Sequence, residues 1–408
     1  MDVQRFRAAW ILPVDGDPIP DGTIEIDASG RIAALHDKVD PRATDLGRVA
    51  ILPGLVNAHT HLEFSDIESP LEPPEPFTDW IRSVVKNRRG RATNGDDAVR
   101  SGLAESIRAG TTLLGEIATN DNSAKLAQTP GPLVVAFFEL IGLQSDQAER
   151  QMEIALRHLQ QPTDSDSGGI IPAISPHAPY SVHPELFVRL VKLATQQRCP
   201  LAIHLAETQA ELELLDRSTG PFVDLLTEFG VWHDGILPVG GRPLWYLQQM
   251  AELQRGLVIH GNYLSDEEVV FLAAHENLTV VYCPRTHAYF RHDSHPWLQL
   301  LDRGARVAVG TDSRASNPDL SVWRELCFLR NRHAKVDPRK LLELGTICGA
   351  RAMGLQEQTG SLTVGKRADM TVVRLPAAGD SNPYSNLLRL ENEIAGTLCG
   401  GQWAHRTI

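Results

Sequence analysis

Residues 51–61, ILPGLVNAHTH, decide the fold, because here a short apolar run of strand-forming residues ends in two histidines. Seven more apolar runs follow, and stretches between them, such as residues 96–110, 183–197 and 265–276, have helical spacing. Near-continuous apolar strands are typical of a parallel sheet covered on both faces. Eight strand–helix units predict an α/β fold with a closed (β/α)₈ TIM-type barrel. The further runs are TTLLGE (111–116), LVVAFFEL (133–140), IIPAIS (170–175), LAIHLAE (201–207), GLVIHGN (256–262), LTVVYCP (278–284) and RVAVGTD (306–312).

An open, doubly wound parallel sheet would show the same alternation of strands and helices. That fold calls for a glycine-rich phosphate loop after its first strand. Residues 58–65, AHTHLEFS, are not such a loop. The closed barrel is therefore the preferred prediction.

The two ends of the chain have a different pattern from the middle. Residues 1–50 contain short β-rich runs broken by Gly, Pro and Asp, and residues 360–408 look similar. We therefore predict one small, discontinuous β-sandwich domain made of residues 1–50 plus 360–408. The catalytic barrel would then span residues 51–359.

Two connections in the predicted barrel are unusually long. One follows the first strand and contains the proline-rich residues 68–80, and the other joins the fifth and sixth strands and contains residues 232–245. Long loops in a compact domain are often lids or binding loops, and otherwise plain surface insertions. The sequence leaves both interpretations open.

Composition limits the class of partner. The 408 residues are 42% apolar and 22% charged, with a formal net charge of -12. This acidity argues against nucleic acid and anionic membranes as partners, because both need a basic face. The five cysteines form no CxxC pair, the N-terminal residues lack a signal-like apolar region, and no apolar run approaches the length of a membrane span. We expect a cytoplasmic protein with a small heterocyclic substrate, and a homo-oligomer is left open.

Side chains that can bind a metal or transfer protons follow five of the predicted strands. Residues i and i+2 of a strand point to the same side, so His59 and His61 can reach one metal. Singly, each group has an ordinary alternative, such as a packed core histidine for His204 or a helix N-cap for Asp312. In a barrel, however, the carboxyl ends of the strands form the catalytic face, so the whole set predicts a hydrolytic metal site. The set is His59, His61, His177, His204, Glu207, His260 and Asp312.

Four segments carry a resemblance to a known family. They are PGLVNAHTHLEFS (53–65), HLAETQAE (204–211), VIHGNYL (258–264) and GTDSRASNPDL (310–320). Together they resemble the amidohydrolase superfamily, and most closely its adenosine/cytosine-deaminase-like and triazine-hydrolase-like members. Residues 360–373 resemble the C-terminal β-sandwich of that family, so the resemblance covers nearly the whole chain.

The resemblance implies a role for each polar residue. Glu207 would shuttle protons, and His260 would position the water or serve as a fifth ligand. Two-metal members bridge their metals with a carboxylated lysine from the fourth strand, and no lysine lies between Lys125 and Lys192. We therefore expect one divalent metal, zinc before iron, which would bring the pKa of its water toward ~7. The implied metal ligands are His59, His61, His204 and Asp312.

Three further residues are candidate substrate contacts. His177 and Ser316 resemble residues that contact substrate in deaminases acting on adenosine-like compounds. The alternative for His177 is a loop histidine bonded to backbone. Trp80 could stack on a heterocycle or simply pack. Residues 282–290, YCPRTHAYF, resemble members that deaminate aminodeoxyfutalosine, while the surroundings of His177 and Ser316 also resemble S-adenosylhomocysteine-type deaminases.

These features predict a metal-dependent hydrolytic deaminase of an amino-substituted N-heterocycle, an adenosine-like nucleoside, with release of ammonia. A triazine-type chlorohydrolase or cyclic-amide hydrolase with the same metal site is one alternative, and a non-catalytic metal-binding barrel is another. The pairing of H-x-E with P-C-x-x-C that marks other zinc deaminases is absent, because Cys283-Pro284 has the wrong order and no second cysteine follows. The G-x-S-x-G motif of serine hydrolases is absent too.

Overall fold

The computed structural model describes residues 3–90, 95–119, 130–161, 169–376 and 382–408. The chain begins with short strands, as the β-rich runs of residues 1–50 predict. The last of these strands is followed by Gly54, where a side-chain Cβ would lie 1.9 Å from the hydroxyl oxygen of Thr112. The strands are β1 (Gln4–Arg7), β2 (Trp10–Ile11), β3 (Ile19–Pro20), β4 (Thr23–Ile26), β5 (Ile32–His36), β6 (Thr44–Asp45) and β7 (Val49–Pro53).

Eight parallel strands follow, and they hydrogen-bond to one another in chain order. Each coincides with one of the eight predicted apolar runs, although the strands Thr111–Ala118 and Ile170–Pro176 extend two residues and one residue beyond theirs and the first run also contains most of β7. One buried apolar cluster takes side chains from all eight strands, which is the packed centre expected of such a barrel. The strands are β8 (Leu55–Thr60), β9 (Thr111–Ala118), β10 (Leu133–Leu140), β11 (Ile170–Pro176), β12 (Leu201–Leu205), β13 (Gly256–His260), β14 (Leu278–Tyr282) and β15 (Arg306–Val309).

The barrel closes where its first and last strands meet. The amide nitrogens of Thr311 and Asp312 donate to the carbonyl oxygen of His59, over 3.1 and 3.0 Å. The buried side chain of Asn57 donates to the Thr311 hydroxyl over 2.8 Å. Closure therefore brings the residues that follow β15 directly against the histidine-bearing end of β8.

Helices cover the barrel. Those with many buried positions, such as the helices Pro184–Gln197 and Val322–Arg332, present an apolar face to the strands. The helices are α1 (Phe77–Gly90), α2 (Asp96–Arg108), α3 (Ala148–Leu159), α4 (Pro184–Gln197), α5 (Gln209–Arg217), α6 (Pro221–Glu228), α7 (Pro243–Met250), α8 (Asp266–Ala273), α9 (Pro284–Tyr289), α10 (Trp297–Asp302), α11 (Val322–Arg332), α12 (Pro338–Leu344) and α13 (Ile347–Ala352).

The remaining strands are β16 (Met370–Arg374), β17 (Ile394–Cys399) and β18 (Gln402–Arg406). They join N-terminal strands in a six-stranded sheet of order β18-β17-β16-β7-β2-β3, and a four-stranded sheet has the order β5-β4-β1-β6. A separate apolar core contains side chains from both sheets. The fold class, a TIM-type barrel with small sheets built from both chain ends, is thus confirmed. The domain limits 1–50 plus 360–408 and 51–359 stay a prediction.

Two smaller observations complete the fold. All five cysteines are free thiols. Among the described residues, none of the helices combines the length and the apolar character that crossing a membrane requires.

Candidate active site

Three strand ends position the polar side chains through unusual backbone geometry. Ala206 after β12, His260 at the end of β13 and Asp312 after β15 have φ values of 53°, 68° and 58°. A positive φ is uncommon for a residue other than glycine and is often found where function requires it. Each of these turns directs a side chain into the same end of the barrel.

The histidines and Asp312 form a compact cluster. The Nε2 atoms of His59 and His61 lie 3.5 and 3.6 Å from the same carboxylate oxygen of Asp312. Donor atoms of His59, His204 and His260 lie within 4.8 Å of one another, and so do those of His59, His61 and Asp312. The predicted ligands are therefore brought together, and His260 is close enough to join them.

The chemistry of this cluster fits a divalent metal. Both ring nitrogens of His59 are buried without a hydrogen-bond partner, which is costly unless something else binds them. Burial, followed by the neighbouring His59, holds the pKa of His61 and of His204 well below its usual value, so these rings are neutral and keep a lone pair. The Nδ1 atom of His204 donates to the carbonyl oxygen of His177 over 3.0 Å, which leaves Nε2 as the ligating atom.

Glu207 lies beside the cluster. Its Oε1 atom is 3.4 Å from Nε2 of His260, and its side chain is only 6% exposed. Burial raises the pKa of Glu207 well above its usual value, and the charges of Asp312 and Glu211 raise it further. A carboxyl group in this state can carry a proton near neutral pH and release it to a substrate.

Ser316 lies elsewhere than its predicted role requires. It is fully buried and is absent from the residues that line the cavity, whereas Ser313 of the same loop does line it. The Ser316 hydroxyl donates to Oδ2 of Asp312 over 2.9 Å and lies 3.1 Å from the Thr286 hydroxyl. The structure thus gives Ser316 a role in orienting Asp312.

The cluster opens into a cavity of about 380 Å³, a size typical of small-molecule sites. Both long connections form its walls: α1 contributes Trp80 and Val84, and α6 contributes Leu225. The Trp80 indole nitrogen donates to the carbonyl oxygen of Ala315 over 3.1 Å, so Trp80 also ties α1 to the loop after β15.

His177 lines the same cavity, as its predicted substrate contact requires. Its Nδ1 atom lies 2.6 Å from the Ser181 hydroxyl. Burial, followed by the charge of Arg88, lowers the pKa of His177 to about 3, so the ring is neutral.

Sequence reasoning missed several buried acids near the site. Glu116 accepts the Leu62 amide at both carboxylate oxygens, over 3.1 and 3.0 Å, just after His61. Glu139 lines the cavity, and Glu211 accepts backbone amides next to Glu207. Glu116 and Glu139 are the last polar residues of predicted strands, and that position was the signal that could have revealed them.

Fold and site together define a metal-dependent hydrolase built on a (β/α)₈ barrel. The chain belongs to the amidohydrolase family, whose sequence model matches residues 50–404. The predicted family is therefore confirmed.

Relatives that are named for their activity indicate the type of reaction. The chain is 30% identical over 383 residues to a 5-methylthioadenosine/S-adenosylhomocysteine deaminase of Syntrophobacter fumaroxidans, covering 89% of this chain and 82% of the relative. It is 30% identical over 339 residues to an aminodeoxyfutalosine deaminase of Deinococcus radiodurans, covering 80% of this chain and 79% of the relative. With this site and these relatives, the chain is a hydrolytic deaminase.

Solved structures share the fold. A zinc-bound adenosine deaminase from Xanthomonas campestris matches 99% of this chain and 93% of its own, with a TM-score of 0.81 and 25% identity. Helicobacter pylori aminofutalosine deaminase with methylthio-coformycin matches 98% of this chain and all of its own, with a TM-score of 0.84 and 21% identity.

Proposed function

We propose that the protein deaminates an adenosine-like nucleoside, replacing the exocyclic amino group of the base with oxygen and releasing ammonia. One observation carries the proposal: a buried acid, Glu207, lies beside a cluster of neutral histidines at the base of a nucleoside-sized cavity. The named relatives act on compounds of this class, which supports the choice of substrate.

The proposed resident metal is a single zinc ion. Its ligands would be His59, His61, His204 and Asp312, the residues whose donor atoms converge in the structure. When bound, such an ion would act as a Lewis acid and supply hydroxide near neutral pH. Zinc is favoured because the adenosine deaminase from Xanthomonas campestris contains it.

The protein's own residues would move the protons. Glu207 would donate the proton it holds to the ring nitrogen beside the amino-bearing carbon. This protonation makes that carbon more electrophilic. His260, 3.4 Å from Glu207, would orient the attacking water, and Asp312 would accept its proton. Asp312 would pass that proton to the amino group, which leaves as ammonia, and the proton of the new hydroxyl group would return to Glu207. The cavity walls exclude bulk water during these transfers.

The narrower substrate we propose is aminodeoxyfutalosine. The relatives that bear this name and the resemblance of residues 282–290 support it. A cavity walled by α1 and α6 also extends beyond the polar cluster, which a free base would not fill. Binding energy from parts of the substrate that are remote from the reacting carbon can increase kcat.

A panel of substrates tests the proposal. Ammonia release would be measured with the metal-loaded protein and aminodeoxyfutalosine, 5-methylthioadenosine, S-adenosylhomocysteine, adenosine, adenine, cytosine, guanine and a chlorotriazine. We expect the highest kcat/KM for an adenosine-like nucleoside, aminodeoxyfutalosine above the others, with adenine much poorer. A best rate with guanine, cytosine or the chlorotriazine would refute the substrate class, and equal rates for adenine and its nucleosides would refute recognition beyond the base.

A further inference from the structure

Three charged side chains near the cavity take no part in the proton transfers described above. Glu63 is two residues after His61, Arg88 lies on α1, and Glu139 is the penultimate residue of β10. One Nη2 atom of Arg88 donates to Glu63 and lies 3.6 Å from Oε2 of Glu139. We call these three residues the outer charged cluster.

Glu139 connects the outer charged cluster to the polar end of the cavity. Its Oε1 atom lies 3.8 Å from Nε2 of His177, whose ring centre is 5.1 Å from that of His204. Both Glu139 and Arg88 line the cavity, although only 3% of the Glu139 side chain is exposed, against 34% for Arg88. Glu139 therefore borders the part of the cavity next to the metal ligands.

This wall of the cavity is rich in acceptors. The Ser181 hydroxyl donates to the carbonyl oxygen of Ala178 over 3.1 Å, so it accepts from Nδ1 of His177. Nε2 of His177 is then an acceptor that faces the carboxylate of Glu139. Two acceptors side by side need a ligand that donates hydrogen bonds to both.

The charge of the outer charged cluster favours neutral ligands over anionic ones. Two carboxylates face one guanidinium, so the outer charged cluster has an excess negative charge when both acids are ionised. A carboxylate or phosphate placed here would add a second negative charge in a largely buried site, which is costly. Neutral hydroxyl groups donate to the acids and accept from Arg88 without that cost.

We propose that Glu139 and Arg88, with His177, bind the vicinal 2′- and 3′-hydroxyl groups of the substrate's ribose, and so select ribonucleosides. This inference rests on the proposed nucleoside deaminase activity. Glu63 serves as a positioning residue, because it holds Arg88 and is itself held by the Thr119 hydroxyl, 3.2 Å from its Oε2 atom.

Matched substrates test the proposal. The kcat/KM of the metal-loaded enzyme would be measured for adenosine, 2′-deoxyadenosine and 3′-deoxyadenosine. We expect adenosine to be preferred by about 10- to 100-fold, the range for a hydrogen bond to a charged group. Binding of inosine and its two deoxy forms, followed by calorimetry, should show the same order without any turnover.

Variants link the preference to these residues. In Glu139→Gln, kcat/KM for adenosine should fall by about 10-fold or more, while the deoxy substrates should change little, so the preference shrinks toward one. Arg88→Gln should reduce the same preference, and its melting temperature would be measured alongside because Arg88 pairs with two buried acids. Glu149→Gln is the control, because this acid is 81% exposed and pairs with Arg189 on the surface.

The possible results separate the ribose subsite from the proposed function. If adenosine is deaminated but the deoxy substrates react and bind equally well, the ribose subsite is refuted and the proposed function stands. A preference that survives in both variants refutes the role of Glu139 and Arg88. If no adenosine-like nucleoside is deaminated, the proposed function and this inference both fail.

Discussion

The environment of single side chains accounts for the chemistry, and Glu207 is the clearest case. It is nearly inaccessible to water, carries a raised pKa because of burial, and lies against His260. Glu207→Gln should lower kcat by about 10²- to 10⁴-fold, because an amide cannot act as a general acid or base near neutral pH. Metal content and melting temperature should stay close to those of the wild type. Ammonia release, metal analysis and thermal unfolding measure these three quantities.

A suitable control for that variant lies on α5. Glu213→Gln changes an exposed acid six residues further along the chain and should leave turnover intact. If Glu207→Gln retains near-normal turnover, Glu207 is not the proton donor and the mechanism given above is wrong.

At the scale of elements, the turn between β12 and α5 sets the position of Glu207. The buried carboxylate of Glu211 accepts the amides of Ala206 and Glu207, each over 2.9 Å. Thr208 caps α5 by accepting the Glu211 amide over 3.1 Å. Glu211 therefore holds a turn in which Ala206 has a positive φ.

We predict that Glu211→Gln lowers kcat more than it changes KM, with the metal retained. The glutamine offers one acceptor oxygen where the carboxylate offers two, and its amino group would face a backbone N–H. A loss of about 10-fold is expected from one broken hydrogen bond to a buried group. Unchanged kcat would show that the turn holds its shape without Glu211.

The same residue gives a pH dependence. Burial raises the pKa of Glu211 from 4.5 to about 7, so the folded protein keeps this proton longer than the unfolded chain does. Its contribution to the free energy of unfolding is therefore greatest below pH ~4.5 and is lost as the pH rises through about 7, by up to about 3 kcal/mol. Denaturant unfolding of wild type and Glu211→Gln at several pH values should show the difference in stability shrinking or reversing across that interval, whereas a constant difference would contradict it.

The secondary-structure elements show which parts of the fold and site could be predicted from the sequence. The eight barrel strands could be predicted because each is a short apolar run between turn residues, and parallel closure then forces His59, His204 and Asp312 to one end. The meeting of Arg88 with Glu139 could not be predicted, because it depends on how α1 packs over the barrel. The burial of Ser316 beside Asp312 depends likewise on the folding of its loop.

At the scale of the whole molecule, the metal cluster lies at the closure of the barrel. His59 lies in the first barrel strand and Asp312 directly follows the last, and their backbones are already hydrogen-bonded to each other. An ion that binds both, together with His204 from β12, would link distant parts of the chain. Ligands that bind only the folded state stabilise it in proportion to the logarithm of their concentration over Kd.

Removal of the metal should therefore reduce both activity and stability. We expect close to one equivalent of metal per chain in the active protein, and chelation should abolish turnover and lower the melting temperature. A free metal concentration of ~100 times Kd would increase the free energy of unfolding by about 2.7 kcal/mol. His59→Ala should bind less metal and respond less to chelation. Two required equivalents, or an apo protein that is equally stable and active, would contradict the single-metal proposal.

The central claim is that one bound metal and Glu207 deaminate an adenosine-like nucleoside. The most direct measurement follows ammonia and the deaminated nucleoside together, with the chelated protein before and after one equivalent of zinc is restored. We predict no reaction before zinc, and afterwards one ammonia for each nucleoside converted from the 6-amino to the 6-oxo form. Ammonia release that is independent of metal, or a restored enzyme that converts no such nucleoside, would contradict the claim.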